Sequence, residues 1–142
     1  MAVPLDEIKV GETRERVVVE DLKRTQIVQY AGASGDFNPL HSDHEFAVAA
    51  AGYPGVFAHG MLTMGMTGRV LTEWFGRENL LRFGVRFKAQ VWPGDTLTVT
   101  ATVEDVAPGE QGPVAELSLR TVNQDGVEVV TGTAAARLEG RA

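Results

Sequence analysis

Hydrophobic and polar positions alternate through the second half of the chain with the two-residue period of a β-strand. Across 80–88, Leu81, Phe83, Val85 and Phe87 fall on one side and Arg82, Gly84, Arg86 and Lys88 on the other. Across 96–103 the contrast is cleaner, with Leu97, Val99, Ala101 and Val103 opposite Thr96, Thr98, Thr100 and Thr102. Trp92-Pro93-Gly94-Asp95 reads as the turn between these two strands, and Pro108 to Pro113 as the loop before a third, from about Ala115 to Asn123. Asp125-Gly126 is a hairpin signal ahead of a last strand, Val127 to Leu138. Val17-Val18-Val19 supplies a short early strand, closed by Glu20-Asp21, that can join the others.

The first half has a different rhythm. From Leu22 to about Ala33, Ile27, Val28 and Ala31 recur at roughly helical spacing, which predicts a short helix. From Ala58 to Trp74, Met61, Leu62, Met64, Met66, Val70, Leu71 and Trp74 put apolar side chains on nearly every face, and a helix apolar all round is buried. Gly60, Gly65 and Gly68 each cost such a helix about 1 kcal/mol relative to alanine, so they are expected to admit another backbone at close range. No Asp, Glu, Lys or Arg lies between Glu45 and Arg69, yet Gly52, Pro54, Gly55, His59 and Gly60 break the run short of the ~20 apolar residues a membrane span needs. Together the elements predict an α+β domain, a curved antiparallel sheet of about five strands wrapped around a long buried central helix.

Composition narrows the possibilities. A chain of 142 residues fits one domain, 1–142, with a real core. Its net charge of −6 argues against nucleic acid, and the lack of cysteine excludes disulfides, thiol catalysis and cysteine metal sites. Met1 to Gly11 holds acidic residues and no apolar core of signal-peptide length, so a cytoplasmic protein is expected.

The chemistry concentrates in Tyr30 to Ala47. Asn38 precedes Pro39, which biases Asn38 toward extended backbone and ends any helix arriving from Tyr30, so the chain turns between Ser34 and Pro39. Ser42-Asp43-His44-Glu45 has the form of a capping box for a second helix, with Ser42 as N-cap, and Phe46 to Ala51 continues it until Gly52. Asp36 then sits in a tight loop and His41 just before a helix, an arrangement that can aim a carboxylate and an imidazole into one cavity as an acid/base pair. Taken singly, Asp36 is an ordinary turn residue and His41 a structural or solvent-facing histidine.

Ser34-Gly35-Asp36-Phe37-Asn38-Pro39-Leu40-His41, followed by Ala58-His59-Gly60-Met61-Leu62, is similar to the paired motifs of the MaoC-like (R)-specific enoyl-CoA hydratases and (3R)-hydroxyacyl-ACP dehydratases of the hotdog fold. The resemblance runs from about Val10 to the C-terminus. It looks closest to the catalytic β-subunit of actinobacterial (3R)-hydroxyacyl-ACP dehydratases, through Gly60-Met61-Leu62-Thr63-Met64-Gly65 and Val85-Arg86-Phe87. It implies a hydro-lyase interconverting trans-2-enoyl and (3R)-3-hydroxyacyl thioesters, with Asp36 and His41 as the dyad that holds one water. It also implies the Gly60 amide as oxyanion donor, aided by the helix dipole. Asn38 matches a position that shapes the loop near the dyad. Where some family members carry a serine on the central helix, this chain has Gly68. No cofactor is implied, coenzyme A or phosphopantetheine being part of the substrate. The partner expected is a second copy, joined edge to edge through a free last strand, or a related hotdog subunit.

Other residues carry divided readings. His59 either helps bind substrate or satisfies backbone groups at the helix start. Met61, Met64 and Met66 read as core filler, some of them able to line an acyl tunnel. Arg82, Arg86 and Lys88 form either a solvated face or a contact for the phosphate of coenzyme A or phosphopantetheine, or for an acidic carrier protein. His41, Asp43, His44 and His59 do not share a face suited to zinc, and no metal is expected. The alternatives are a hotdog acyl thioesterase, which would release free thiol, and an acyl-binding subunit of a heterodimer, which would be expected to lack Asp36 or His41.

Overall fold

The computed structural model describes residues 2–139, with two helices and five strands as its main elements. In chain order these are β1 (Thr13–Val19), α1 (Arg24–Ser34), α2 (Gly60–Phe75), β2 (Leu80–Phe87), β3 (Leu97–Ala107), β4 (Val114–Val122) and β5 (Glu128–Arg137). The strands form one antiparallel sheet in the order β1-β3-β4-β5-β2.

β3 follows its alternation closely. Leu97, Val99, Ala101 and Val103 are fully buried while the intervening threonines are half-buried. The loops at 108–113 and 125–126 close hairpins as expected, pairing β3 with β4 and β4 with β5. Gly126 has a φ of +74°, the left-handed backbone such a turn requires. Trp92 to Asp95 does not pair the strands it joins. β2 hydrogen-bonds to β5 and β3 to β1, so this segment carries the chain across the sheet. The Asp95 carboxylate anchors the crossing by accepting from the Trp92 amide at 2.9 Å and the Gln124 side chain at 3.0 Å.

The sheet corrects two expectations. The last strand is not free: β5 is bonded on both sides, and the open edges are β1 and β2. Along β2 a bulge between Leu80 and Arg82 breaks the alternation, so Leu80 and Phe83 pack on the core and Leu81 is 53% exposed.

Nor is α2 buried all round. Val70, Leu71, Trp74 and Phe75 are buried against Val99, Ala101, Leu117 and Ala134 of the sheet. Met61, Gly65, Arg69 and Glu73, spaced four apart, face outward because nothing among the described residues covers that stripe. The helix glycines admit rings rather than a backbone. A Cβ on Gly68 would lie 2.8 Å from the Phe83 ring and one on Gly60 3.2 Å from the Phe87 ring, while Gly65 faces open space. A second cluster, Leu22, Ile27, Ala58, Val91, Leu97 and Val129, fixes α1 and the entry to α2. No helix among the described residues is long and apolar enough to cross a membrane.

Candidate active site

The signature loop is built from local hydrogen bonds that its sequence dictates. α1 ends because Gly35 adopts φ +75° and returns its N–H to the Ala31 carbonyl. Ser34 Oγ then accepts from the Asp36 amide at 3.2 Å, Asp36 Oδ1 from the Asn38 amide at 3.2 Å, and Asn38 Oδ1 from the Leu40 amide at 3.1 Å. Short polar side chains that bond the backbone two residues on are what turns a chain this tightly. Asn38, at ψ 124°, is extended before Pro39 as its position predicts, and Pro39–His41 forms a single 3-10 turn.

The expected capping box is displaced by one residue. Ser42 closes the 3-10 turn with its N–H on the Pro39 carbonyl, so its backbone is already committed. The cap falls to Asp43, whose Oδ1 accepts from the Phe46 amide at 3.0 Å, and the helix that follows is a π turn over Phe46–Ala50.

The loop aims two imidazoles. The His41 Nδ1–H donates to the Phe57 carbonyl at 2.7 Å; a carbonyl only accepts, so in the neutral ring Nε2 is left as a free lone pair. His59, 2% exposed, donates from Nε2–H to the Asp36 carbonyl at 3.0 Å. The two rings stack with centroids 3.8 Å apart, and Tyr30 packs edge-on against His59 at 4.8 Å. One carboxylate oxygen of Asp36 and one ring nitrogen from each histidine all lie within 4.8 Å of one another.

Gly60 follows His59 as the first residue of α2, and its N–H has no acceptor among the described residues. Such a free N–H at a helix start adds the dipole's positive end to a hydrogen-bond donor. Beside it lies a cavity of about 270 Å³ whose walls include Phe57, Thr63, Phe87, Lys88, Val91 and Val130. Gly60 lines this cavity, and so does Phe57, whose ring meets His41 edge-on at 5.1 Å. The site therefore offers a carboxylate, a ring nitrogen that accepts when the imidazole is neutral, and an unsatisfied amide lining a cavity of mixed polar and apolar walls. That is the equipment for moving a proton next to a carbonyl whose oxygen gains charge.

The sequence-derived candidates are thus divided. Asp36, Asn38, His41, His59 and Gly60 come together. Arg82 and Arg86 keep the same exposed face of β2, Arg82 paired with Glu116 across the sheet and Arg86 without an ion pair among the described residues, while Lys88, just beyond the strand, lines the cavity. Of the residues considered for zinc, Asp43 is occupied as a cap and His44 lies over Gly55, whose added Cβ would meet its ring at 3.3 Å. The group with metal-like spacing is instead Asp36, His41 and His59; there the His59 Nε2–H is spent on the Asp36 carbonyl and Nδ1 is enclosed without a hydrogen-bond partner. Sequence reasoning missed Phe57, because its contribution is a backbone carbonyl, which any residue type supplies.

Comparison with known proteins bears on the family and the fold. The family model described as MaoC like domain matches residues 7–124. An (R)-specific enoyl-CoA hydratase of Aeromonas caviae is 36% identical over 115 residues, covering 80% of this chain and 84% of that protein. A 3-hydroxyacyl-thioester dehydratase of Mycobacterium tuberculosis is 38% identical over 111 residues, 70% of this chain but only 37% of that longer protein. The structure of an R-hydratase from Pseudomonas aeruginosa in its unliganded form superposes with a TM-score of 0.82 at 28% identity, covering 97% of this chain and 88% of that one. With the motif, the sheet and helix that carry it, and a family match over most of its length, the chain belongs to the MaoC-like domain family of hotdog-fold proteins.

Proposed function

We propose that the chain, as one MaoC-like hotdog domain over 1–142, is a hydro-lyase interconverting trans-2-enoyl and (3R)-3-hydroxyacyl thioesters of coenzyme A or acyl carrier protein. The observation that carries this reading is the Asp36 carboxylate and the His41 ring held together beside the free Gly60 N–H. In the hydration direction, a water lies between the Asp36 carboxylate and His41 Nε2, both acceptors. As its oxygen bonds to the β-carbon, Nε2 takes a proton and the electron pair moves to the thioester oxygen, which the Gly60 N–H receives. The imidazolium returns a proton to the α-carbon, so one water has been added and the site is restored. Dehydration runs the same steps backwards. Asp36 orients the water and stabilises the transient imidazolium.

No step changes an oxidation state, and each proton and the developing oxyanion has a protein group to receive it, so the reading invokes no cofactor and no metal. Coenzyme A and carrier thioesters are intracellular metabolites, which gives the reading a cytoplasmic location. Asp36→Asn keeps the turn acceptor at Oδ1 but removes the negative charge. Turnover of trans-2-enoyl thioesters should fall by roughly 10²-fold or more; wild-type turnover in this variant would sink the assignment.

The partner we infer is a second copy of the chain, or a related hotdog subunit, joined at β2. The β1 edge carries Arg14, Glu15 and Arg16, and a charged edge resists further pairing. The β2 edge carries Arg82 and Arg86 too, but half-exposed Leu81 and Phe87 at its ends and exposed Met61 at the start of α2 add apolar surface suited to burial.

A further inference from the structure

His59 takes no step in the proposed reaction, yet it is the most deeply buried side chain of the site. Its Nδ1 is enclosed without a hydrogen-bond partner, a burden on stability that a leucine or phenylalanine would avoid. We infer that His59 is a positioning residue that locks Asp36, His41 and the Gly60 N–H into one frame. The kinetic consequence rests on the hydration reading; the geometry does not.

The loop around Asp36 is otherwise held only by its neighbours. Gly35, Asp36 and Asn38 bond to Ala31, Ser34, Leu40, His41 and one another. Among the described residues, the one hydrogen bond that ties Gly35–Asn38 to a distant part of the chain is the His59 Nε2–H on the Asp36 carbonyl, 23 residues away. His59 is itself held on several sides. Its carbonyl accepts from the Leu62 and Thr63 amides at the start of α2, and Tyr30 closes on its ring. The face of that ring stacks on His41, whose rotation is further limited by the Phe57 carbonyl. One residue thus sets the backbone that aims the carboxylate, the plane of the base, and, one peptide along, the oxyanion donor.

Two partial replacements separate the contributions. His59→Gln keeps an Nε2–H donor without the ring; His59→Phe keeps the ring without the donor. If the tether to Asp36 governs alignment, His59→Phe lowers kcat about 100-fold with KM little changed, as expected for a misplacement near 1 Å, and His59→Gln stays within about tenfold of wild type. Wild-type kcat in His59→Phe, equal losses in both variants, or a loss confined to KM overturns the inference. A spectroscopic measurement on the wild-type protein covers the case in which the variants fail to fold. Long-range proton–nitrogen NMR should find His59 protonated on Nε2 and His41 on Nδ1; His59 protonated on Nδ1 alone overturns the inference. A wild-type protein inactive on every enoyl thioester would remove the hydration reading, while the NMR tautomers would still decide the role of His59.

Discussion

Giving this chain the helix serine found in some of its family tests how the site is packed. In Gly68→Ser the new Cβ would sit 2.8 Å from Phe83 Cε1, 3.3 Å from Cδ1 and 3.5 Å from Cζ. Carbon atoms in contact prefer about 3.5–4.0 Å, so the ring must retreat by roughly 1 Å. Phe83 is pinned on β2 opposite Ala134 and packs on the main core cluster, so the retreat displaces the strand or opens a gap. Overpacking of this kind costs about 1–3 kcal/mol, against about 0.5 kcal/mol that serine returns over glycine in a helix, leaving a net loss of about 0.5–2.5 kcal/mol. At about 3 °C per kcal/mol for a chain of this size, Tm should fall by about 1.5–7.5 °C, read by circular dichroism at fixed protein concentration. Phe83→Leu should relieve the contact. In the double variant the two changes should couple by about 1 kcal/mol or more. A rise in Tm for Gly68→Ser, or strict additivity with Phe83→Leu, would refute the reasoning.

Two further outcomes are expected. Charge reversal at Lys88 or Arg86 should raise KM for coenzyme A or carrier substrates while leaving kcat nearly unchanged; if KM does not move at either position, these cations are only a solvated face. Light scattering should give about twice the 15.3 kDa chain mass, and Leu81→Lys on β2 should weaken the dimer while Arg14→Glu on β1 does not. A monomeric protein removes the homodimer and leaves only the related hotdog subunit as partner; a dimer sensitive only at β1 removes the β2 interface.

The strands, both hairpins, the central helix and the meeting of Asp36 with His41 were legible because each rests on a local rule, whereas Gly60 joined them only through the family resemblance. Alternation reports a strand with one buried face, Asp125-Gly126 reports a turn, and Asn38-Pro39 reports an extended break. What escaped depends on non-local pairing. Nothing in the residues around Trp92 says that β2 will bond to β5 rather than to β3, so the free edge was assigned to the wrong strand. The bulge that turns Leu81 outward leaves no mark in a sequence whose neighbouring position, Leu80, is equally apolar. Gly68 was legible as a close-approach site but its visitor was not, since a ring and a backbone both need the missing Cβ. Ser42 and Asp43 are both competent caps, and the choice was made by the preceding turn, which uses up the Ser42 backbone.

The central claim is hydration, and its most direct test is ultraviolet spectroscopy of the conjugated enoyl thioester. Purified protein is mixed with crotonyl-CoA, longer trans-2-enoyl-CoAs and the matching carrier-protein thioesters, with and without a co-expressed hotdog partner, and a thiol reagent reports hydrolysis in parallel. Absorbance that falls without thiol release, and does so at least roughly 10²-fold more slowly in Asp36→Asn, is the predicted result. Thiol release, or absorbance unchanged with every substrate and partner, would contradict it.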